Sequence, residues 1–156
     1  MLIWNAIEGR PIPLSGDGRH VRDWLFVDDH VRALWRIAGH ARPGARYNIG
    51  ARAEHTNLEV AHRICDLVDE LGPSRPAGLA TRRDLIEFVR DRPGHDRRCA
   101  IDPSRIESEL GCTAQVSLDA GLRQTVRWYL DDLAWCREVA EAACRGRRLG
   151  VGRERS

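Results

Sequence analysis

Three polar clusters in this 156-residue chain carry residue types that could do chemistry. The first runs from Pro13-Leu14-Ser15-Gly16-Asp17-Gly18 to Val21-Arg22-Asp23-Trp24. The second joins Tyr47-Asn48-Ile49-Gly50 to Asn57, and the third is Asp91-Arg92-Pro93-Gly94-His95-Asp96. Each lies where a loop follows a short apolar run, the usual place for binding groups. The chemistry that would unite them is recognition of a diphosphate. Two phosphates in a cleft call for planar, always-charged donors, and Arg22 and Arg92 supply guanidinium groups that bond bidentately and desolvate more cheaply than an ammonium. Neighbouring glycines let backbone approach a ligand, and Asn57 at a helix start offers an amide for a phosphate or a ribose hydroxyl. Taken singly, each residue has a plainer reading. Arg22 could pair with Asp23 or Asp17 at the surface, Asn57 could be only a helix cap, and His95 only a partly exposed turn residue.

Composition removes several other chemistries. All 25 basic residues are Arg and there is no Lys, so Schiff-base or lysine-ammonium catalysis is excluded. The net charge of +2 gives no basic balance for nucleic acid or an anionic membrane. Five cysteines without a CxxC do not form a disulfide scaffold or a zinc ribbon. The six histidines, His20, His30, His40, His55, His62 and His95, lack HExxH or paired spacing, leaving only a metal site that folding itself assembles. No G-x-S-x-G elbow is present. No apolar run reaches the roughly 18 residues of a membrane span, and the start lacks a signal-peptide pattern, so a cytoplasmic location is expected.

The elements that must position these clusters read as helices alternating with very short strands. Residues 2–8 form a helix closed by Gly9, and Trp24-Leu25-Phe26-Val27 reads as a short buried strand. Asp28 or Asp29 caps a helix over 30–39 with Val31, Leu34, Trp35 and Ala38 on one apolar face. Tyr47 to Gly50 reads as a brief strand. Asn57 starts and Gly72-Pro73 stops the clearest helix, and residues 73–84 read as a surface loop or insertion. Strands over 85–89 and 99–101 flank the third cluster. Asp102-Pro103 opens a helix to about Leu110, and Ser117 caps a long one with Leu118, Leu122, Val126, Tyr129, Leu130 and Leu133 on one face. Both tyrosines are expected to pack. Residues 1–144 read as one lobe and 145–156 as a disordered basic tail. Without long Val/Ile-rich runs, a small α+β lobe fits better than a doubly wound domain.

The blocks PIPLSGDGRHVRDWLFVDDHVRAL, RYNIGARAEHTNLEVAHRICDLVDEL, LIEFVRDRPGHDRRCAIDPSRIESELG and VSLDAGLRQTVRWYLDDLAWC stand in one order over residues 2–137. In that order they resemble the C-terminal portion of the dTDP-glucose 4,6-dehydratases, lyases of the extended short-chain dehydrogenase/reductase family. The resemblance implies an α/β NAD-dependent epimerase/dehydratase enzyme of nucleotide-sugar metabolism, of which this chain is the α+β substrate-binding lobe with the Rossmann core missing. It places Pro13, Leu14 and Ser15 against a dTDP-sugar and Arg22 and Arg92 near its diphosphate. It adds Asn57 at the following helix, with Asp91, Pro93, Gly94 and His95 completing the loop. Two departures stand out: Ser15 replaces a Tyr common in the family's turn, and Cys112-Thr113-Ala114 replaces a Trp-x-Pro. Loss of the first aromatic weakens stacking on the nucleotide, and loss of the second weakens the core.

The family's reaction needs a glycine-rich NAD fingerprint, a Tyr-x-x-x-Lys pair and an Asp-Glu pair. None can be placed in this sequence, and with no Lys the second is ruled out. The expectation is therefore a dTDP-sugar-binding lobe, inactive alone, that opens mid-element and works with a separate dinucleotide-binding domain or subunit. The alternatives are a non-catalytic remnant or binding protein, or the lobe of a related nucleotide-sugar epimerase.

Overall fold

A computed structural model describes residues 1–143. The basic tail expected over 145–156 lies outside the described residues. The elements run α1 (Leu2–Glu8), β1 (Ile12–Ser15), β2 (Val21–Asp23), α2 (Val27–His40), β3 (Glu54–Thr56), α3 (Asn57–Leu71), β4 (Ile86–Val89), β5 (Arg98–Cys99), α4 (Ser104–Leu110), α5 (Leu118–Asp131) and α6 (Leu133–Ala143). A 3-10 turn, Arg82–Leu85, leads into β4. The strands form two small sheets. β1 pairs with β4 in parallel, Ser15 opposite Val89, and β2 is flanked by antiparallel β3 and parallel β5. This is the helix-rich lobe with short strands that the sequence implied.

The main core gathers Ile3, Ala6 and Ile7 of α1, Ile12 of β1, Val60, Ile64, Cys65 and Val68 of α3, and Val126 of α5. The apolar spacing of α3 and α5 aims these faces at one another, and Leu118, Leu122, Tyr129, Leu130 and Leu133 pack on as the periodicity required. Gly9 ends α1 in the left-handed conformation, φ 66°, as its position predicted.

Several local readings need correction. Trp24 to Phe26 form no strand, and Val27, which begins α2, is 62% exposed. The strand sits just upstream at Val21–Asp23 because the partners available there, β3 and β5, flank Arg22. Tyr47 to Gly50 is irregular; Tyr47 packs by half-burial and by donating to Glu109 at 2.7 Å. The face of α2 that carries Val31, Leu34 and Trp35 points outward, Trp35 being 83% exposed. The helix instead buries Asp29 and Ala33, because Ala33 packs on Ile106 and Leu110 while Asp29 accepts the amides of Gln115 and Val116 at 3.1 and 3.0 Å. Asp28 and Asp29 lie in the first turn of α2, not at its cap. For α3 the cap is Thr56, not Asn57. Thr56 Oγ1 accepts the Glu59 amide, and the Glu59 carboxylate accepts the Thr56 amide, which makes a complete capping box.

The surface loop expected over 73–84 hides the largest fully buried side chain among the described residues. Arg82 is 1% exposed. Its guanidinium donates to Asp69 at 2.7 Å, to the Ala6 carbonyl in the last turn of α1 at 2.8 Å and to the Pro73 carbonyl at 2.8 Å. One planar donor thus satisfies a helix-end carbonyl, an α3 carboxylate and the loop itself.

Two stability predictions follow from these buried polar groups. Arg82→Met leaves Asp69 and two carbonyls short of donors and should cost about 3–5 kcal/mol in urea unfolding, whereas loss of under ~1 kcal/mol would contradict the role given to Arg82. The second concerns acid. Burial alone would raise the pKa of Asp29, but the Val116 and Gln115 amides and Arg32 hold it below its ordinary value; burial likewise opposes the Arg82 and Thr81 hydrogen bonds that hold Asp69 down. A carboxylate with a depressed folded pKa stabilises fully above its unfolded pKa and loses that contribution as pH falls through the folded value. Urea midpoints should therefore drop steeply below about pH 4, and the slope should flatten in an Asp29→Asn/Asp69→Asn double variant. Parallel slopes in the two proteins would refute it.

Candidate functional site

The first and third sequence clusters meet at the ends of β1 and β4. Because Ser15 pairs with Val89 and the Gly16 amide donates to the Val89 carbonyl, the Gly16–Gly18 turn and the 91–96 loop leave the sheet side by side. Both glycines of the turn have positive φ, 61° and 72°, and a side chain at Gly18 would crowd Leu58 and Phe88. Arg97 clasps Asp17 at 2.7 and 2.9 Å across this junction and holds the Asp17 pKa far below the carboxylate range. The start of α3 joins them, the Asn57 amide donating to the His20 carbonyl and the Leu58 amide to the Gly18 carbonyl.

Within this junction lies a chain of four side chains. Arg22 Nη2 lies 2.9 Å from His95 Nε2 and donates at 2.9 Å to the Asp96 carbonyl, while Nη1 donates at 2.6 Å to its neighbour's carbonyl, Val21 O. His95 Nδ1 lies 2.7 Å from Asp91 Oδ1, and His20 Nε2 lies 2.9 Å from Asp91 Oδ2. The two imidazoles stack with centroids 4.1 Å apart. Arg has donors only, so His95 Nε2 must accept; its proton then sits on Nδ1 and faces Asp91, and His95 is neutral. Asp91 is held below its ordinary pKa first by the His95 hydrogen bond, with the Arg92 amide also contributing.

The ten residues that the sequence and the resemblance singled out divide as follows. Arg22, Asp91 and His95 are joined by hydrogen bonds, and Arg92, Pro93 and Gly94 belong to the same exposed turn. Arg92 donates its backbone amide to Asp91, and its guanidinium has no partner among the described residues. Asn57 is half-buried beside His20; Ser15 lies at the sheet end, Pro13 is exposed, and Leu14 is only 4% exposed. Leu14 therefore faces packing. Arg22 pairs with neither Asp17 nor Asp23, since Asp23 accepts the Ala51 and Ala53 amides instead. The residue that sequence reasoning missed is His20, 2% exposed, which has no spacing motif and is brought to Asp91 by tertiary structure alone.

His20, Asp91 and His95 offer ligand atoms within 4.8 Å of one another, a set that could hold a metal ion. To do so Asp91 would have to give up its hydrogen bonds to both imidazoles, whose rings stack with centroids 4.1 Å apart. A separate pocket of about 500 Å³ lies under α2 and contains none of the ten residues. Cys112, Thr113 and Ala114 line it, and their small side chains leave it open where the resemblance places a Trp-x-Pro.

Comparison with known proteins shows the family. The family model described as GDP-mannose 4,6 dehydratase matches residues 2–125. The dTDP-glucose 4,6-dehydratase of Neisseria meningitidis serogroup B is 47% identical over 98% of this chain and 43% of its own length. That of Haemophilus influenzae is 52% identical over 83% of this chain and 38% of its own. A crystal structure of dTDP-glucose 4,6-dehydratase from Bacillus anthracis in complex with NAD superposes with a TM-score of 0.72 at 37% identity, covering 86% of this chain and 39% of that one. This chain thus spans about two fifths of the length of these relatives. The chain belongs to the GDP-mannose 4,6 dehydratase family, as a partial-length relative of its dTDP-glucose 4,6-dehydratases.

Proposed function

We propose that this chain is the nucleotide-sugar-binding portion of a dTDP-glucose 4,6-dehydratase-like enzyme, gripping a dTDP-sugar by its diphosphate and inactive by itself. The observation that carries this reading is the partner set of Arg22. This arginine-rich chain could have neutralised it with a carboxylate, as Arg97, Arg98 and Arg123 are neutralised by Asp17, Glu54 and Glu70. Arg22 instead meets a neutral imidazole and two carbonyls, so a partly buried guanidinium is held in place with no carboxylate partner among the described residues. Such a group is poised for an anion. Arg92 supplies the second guanidinium from the adjoining turn. Asn57, Pro13, Leu14, Ser15, Asp91, Pro93, Gly94 and His95 complete or support the site, and residues 1–144 form the binding lobe.

Catalysis needs groups this chain lacks. It has no Lys for a Tyr-x-x-x-Lys pair, and its relatives extend well beyond the matched region. The oxidation and return of hydride therefore belong to a dinucleotide-binding portion, as a further segment or a separate subunit, in the cytoplasm. Among the described residues no helix is long and apolar enough to cross a membrane.

Calorimetric titration of the chain with dTDP tests the reading. Binding should fall in the micromolar range, ~8 kcal/mol, and weaken about ten-fold or more in Arg22→Ala and Arg92→Ala. Purified chain should not turn over dTDP-glucose with added NAD. No detectable binding to a chain folded by circular dichroism would leave only a remnant of the fold, and turnover would overturn the assignment of catalysis elsewhere.

A further inference from the structure

We propose that His20 is a positioning residue for the anion site: by occupying one oxygen of Asp91 it keeps that carboxylate from pairing with Arg22. The inference rests on the diphosphate reading above. It starts from a buried group that reading does not use. His20 is 2% exposed, and its Nδ1 is buried without a hydrogen-bond partner among the described residues. Its Nε2 is 2.9 Å from Asp91 Oδ2, so Nε2 carries the proton and Nδ1 is the bare acceptor. A buried imidazole with half its hydrogen-bonding capacity unmet is an arrangement that packing alone does not require.

The geometry around Asp91 gives the reason. Its Oδ1 accepts from His95 Nδ1 and from the Arg92 amide, and its Oδ2 accepts from His20. Both oxygens are engaged, and the carboxylate reaches Arg22 only through the neutral His95 ring. If Oδ2 were free, the carboxylate could turn and form a direct ion pair with the guanidinium two links away, competing with a phosphate for the same donors. His20 also stacks on His95, which fixes the plane from which Nε2 meets Arg22. Its backbone is anchored in turn, its carbonyl accepting the Asn57 amide. The other charges at the junction leave this arrangement undisturbed: Asp17 and Arg97 pair with each other, and the Asp96 carboxylate faces Cys99.

Nitrogen-15 NMR of the full chain at neutral pH reads the tautomers without any ligand. His95 should carry its proton on Nδ1 and His20 on Nε2. His20→Phe keeps the ring and its stack but removes the donor; His95 should then lose its single tautomer, and the Kd for dTDP should rise by about ten-fold. His20→Gln keeps a donor without the aromatic ring and should restore the Kd to within about three-fold of the parent, on the scale of one retained hydrogen bond. The reverse order, with Phe harmless and Gln damaging, would make His20 a packing residue and overturn the proposal, as would a His95 proton on Nε2 in the parent chain. If the parent shows both tautomers as stated and His20→Phe disturbs that of His95 while no variant binds dTDP, the brace stands and the nucleotide-sugar reading falls.

Discussion

The strands of this protein are two to four residues long, too short for sheet pairing to satisfy the backbone around them, and carboxylates take over that task. Asp23 accepts the Ala51 and Ala53 amides where β2 ends, Asp29 accepts the Gln115 and Val116 amides from a buried position in α2, and Asp69 accepts the Arg82 amide. Each joins segments distant in sequence. The folded lobe therefore depends on ionised acids as well as on its apolar core, because protonating any of them weakens acceptors for amides that make no other hydrogen bond among the described residues.

The same economy shapes the candidate site. Asp91 ties the loop that carries it to His20, and so to the segment on which α3 begins, while leaving Arg22 with neutral partners. Elsewhere arginines are spent on structure. Arg82 is consumed inside the fold, and Arg98 and Arg123 close bidentate pairs with Glu54 and Glu70 across the surface. Against that background a half-buried guanidinium with no carboxylate partner among the described residues is a specific feature, and it falls on the residue to which the proposed function gives a diphosphate.

Helix positions and long apolar periodicities were legible in the chain. The faces of α3 and α5, the glycine stop of α1 and the 104–110 helix came from local rules that act over one or two turns. The cap of α3 was legible too, since Thr56 and Glu59 have capping-box spacing, but the neighbouring Asn57 is an equally good cap by type. The strands near residues 24 and 47 were misread because a short apolar run becomes a strand only when a partner edge is present. The outward stripe of α2 was misjudged for a related reason: periodicity identifies an apolar face, and only the packed neighbours decide which face is covered.

By itself the sequence determined which chemistries these 156 residues do not carry and which family their ordered blocks belong to. The absence of Lys and of a glycine-rich fingerprint are properties of residue identity, and four blocks in a fixed order depend on nothing else. Tertiary structure alone decided that His20 joins Asp91 and His95, that Arg82 is buried, and that Arg22 keeps its charge. Those facts depend on distances between residues tens of positions apart, and such distances are set by how helices and short strands pack, which no local pattern encodes.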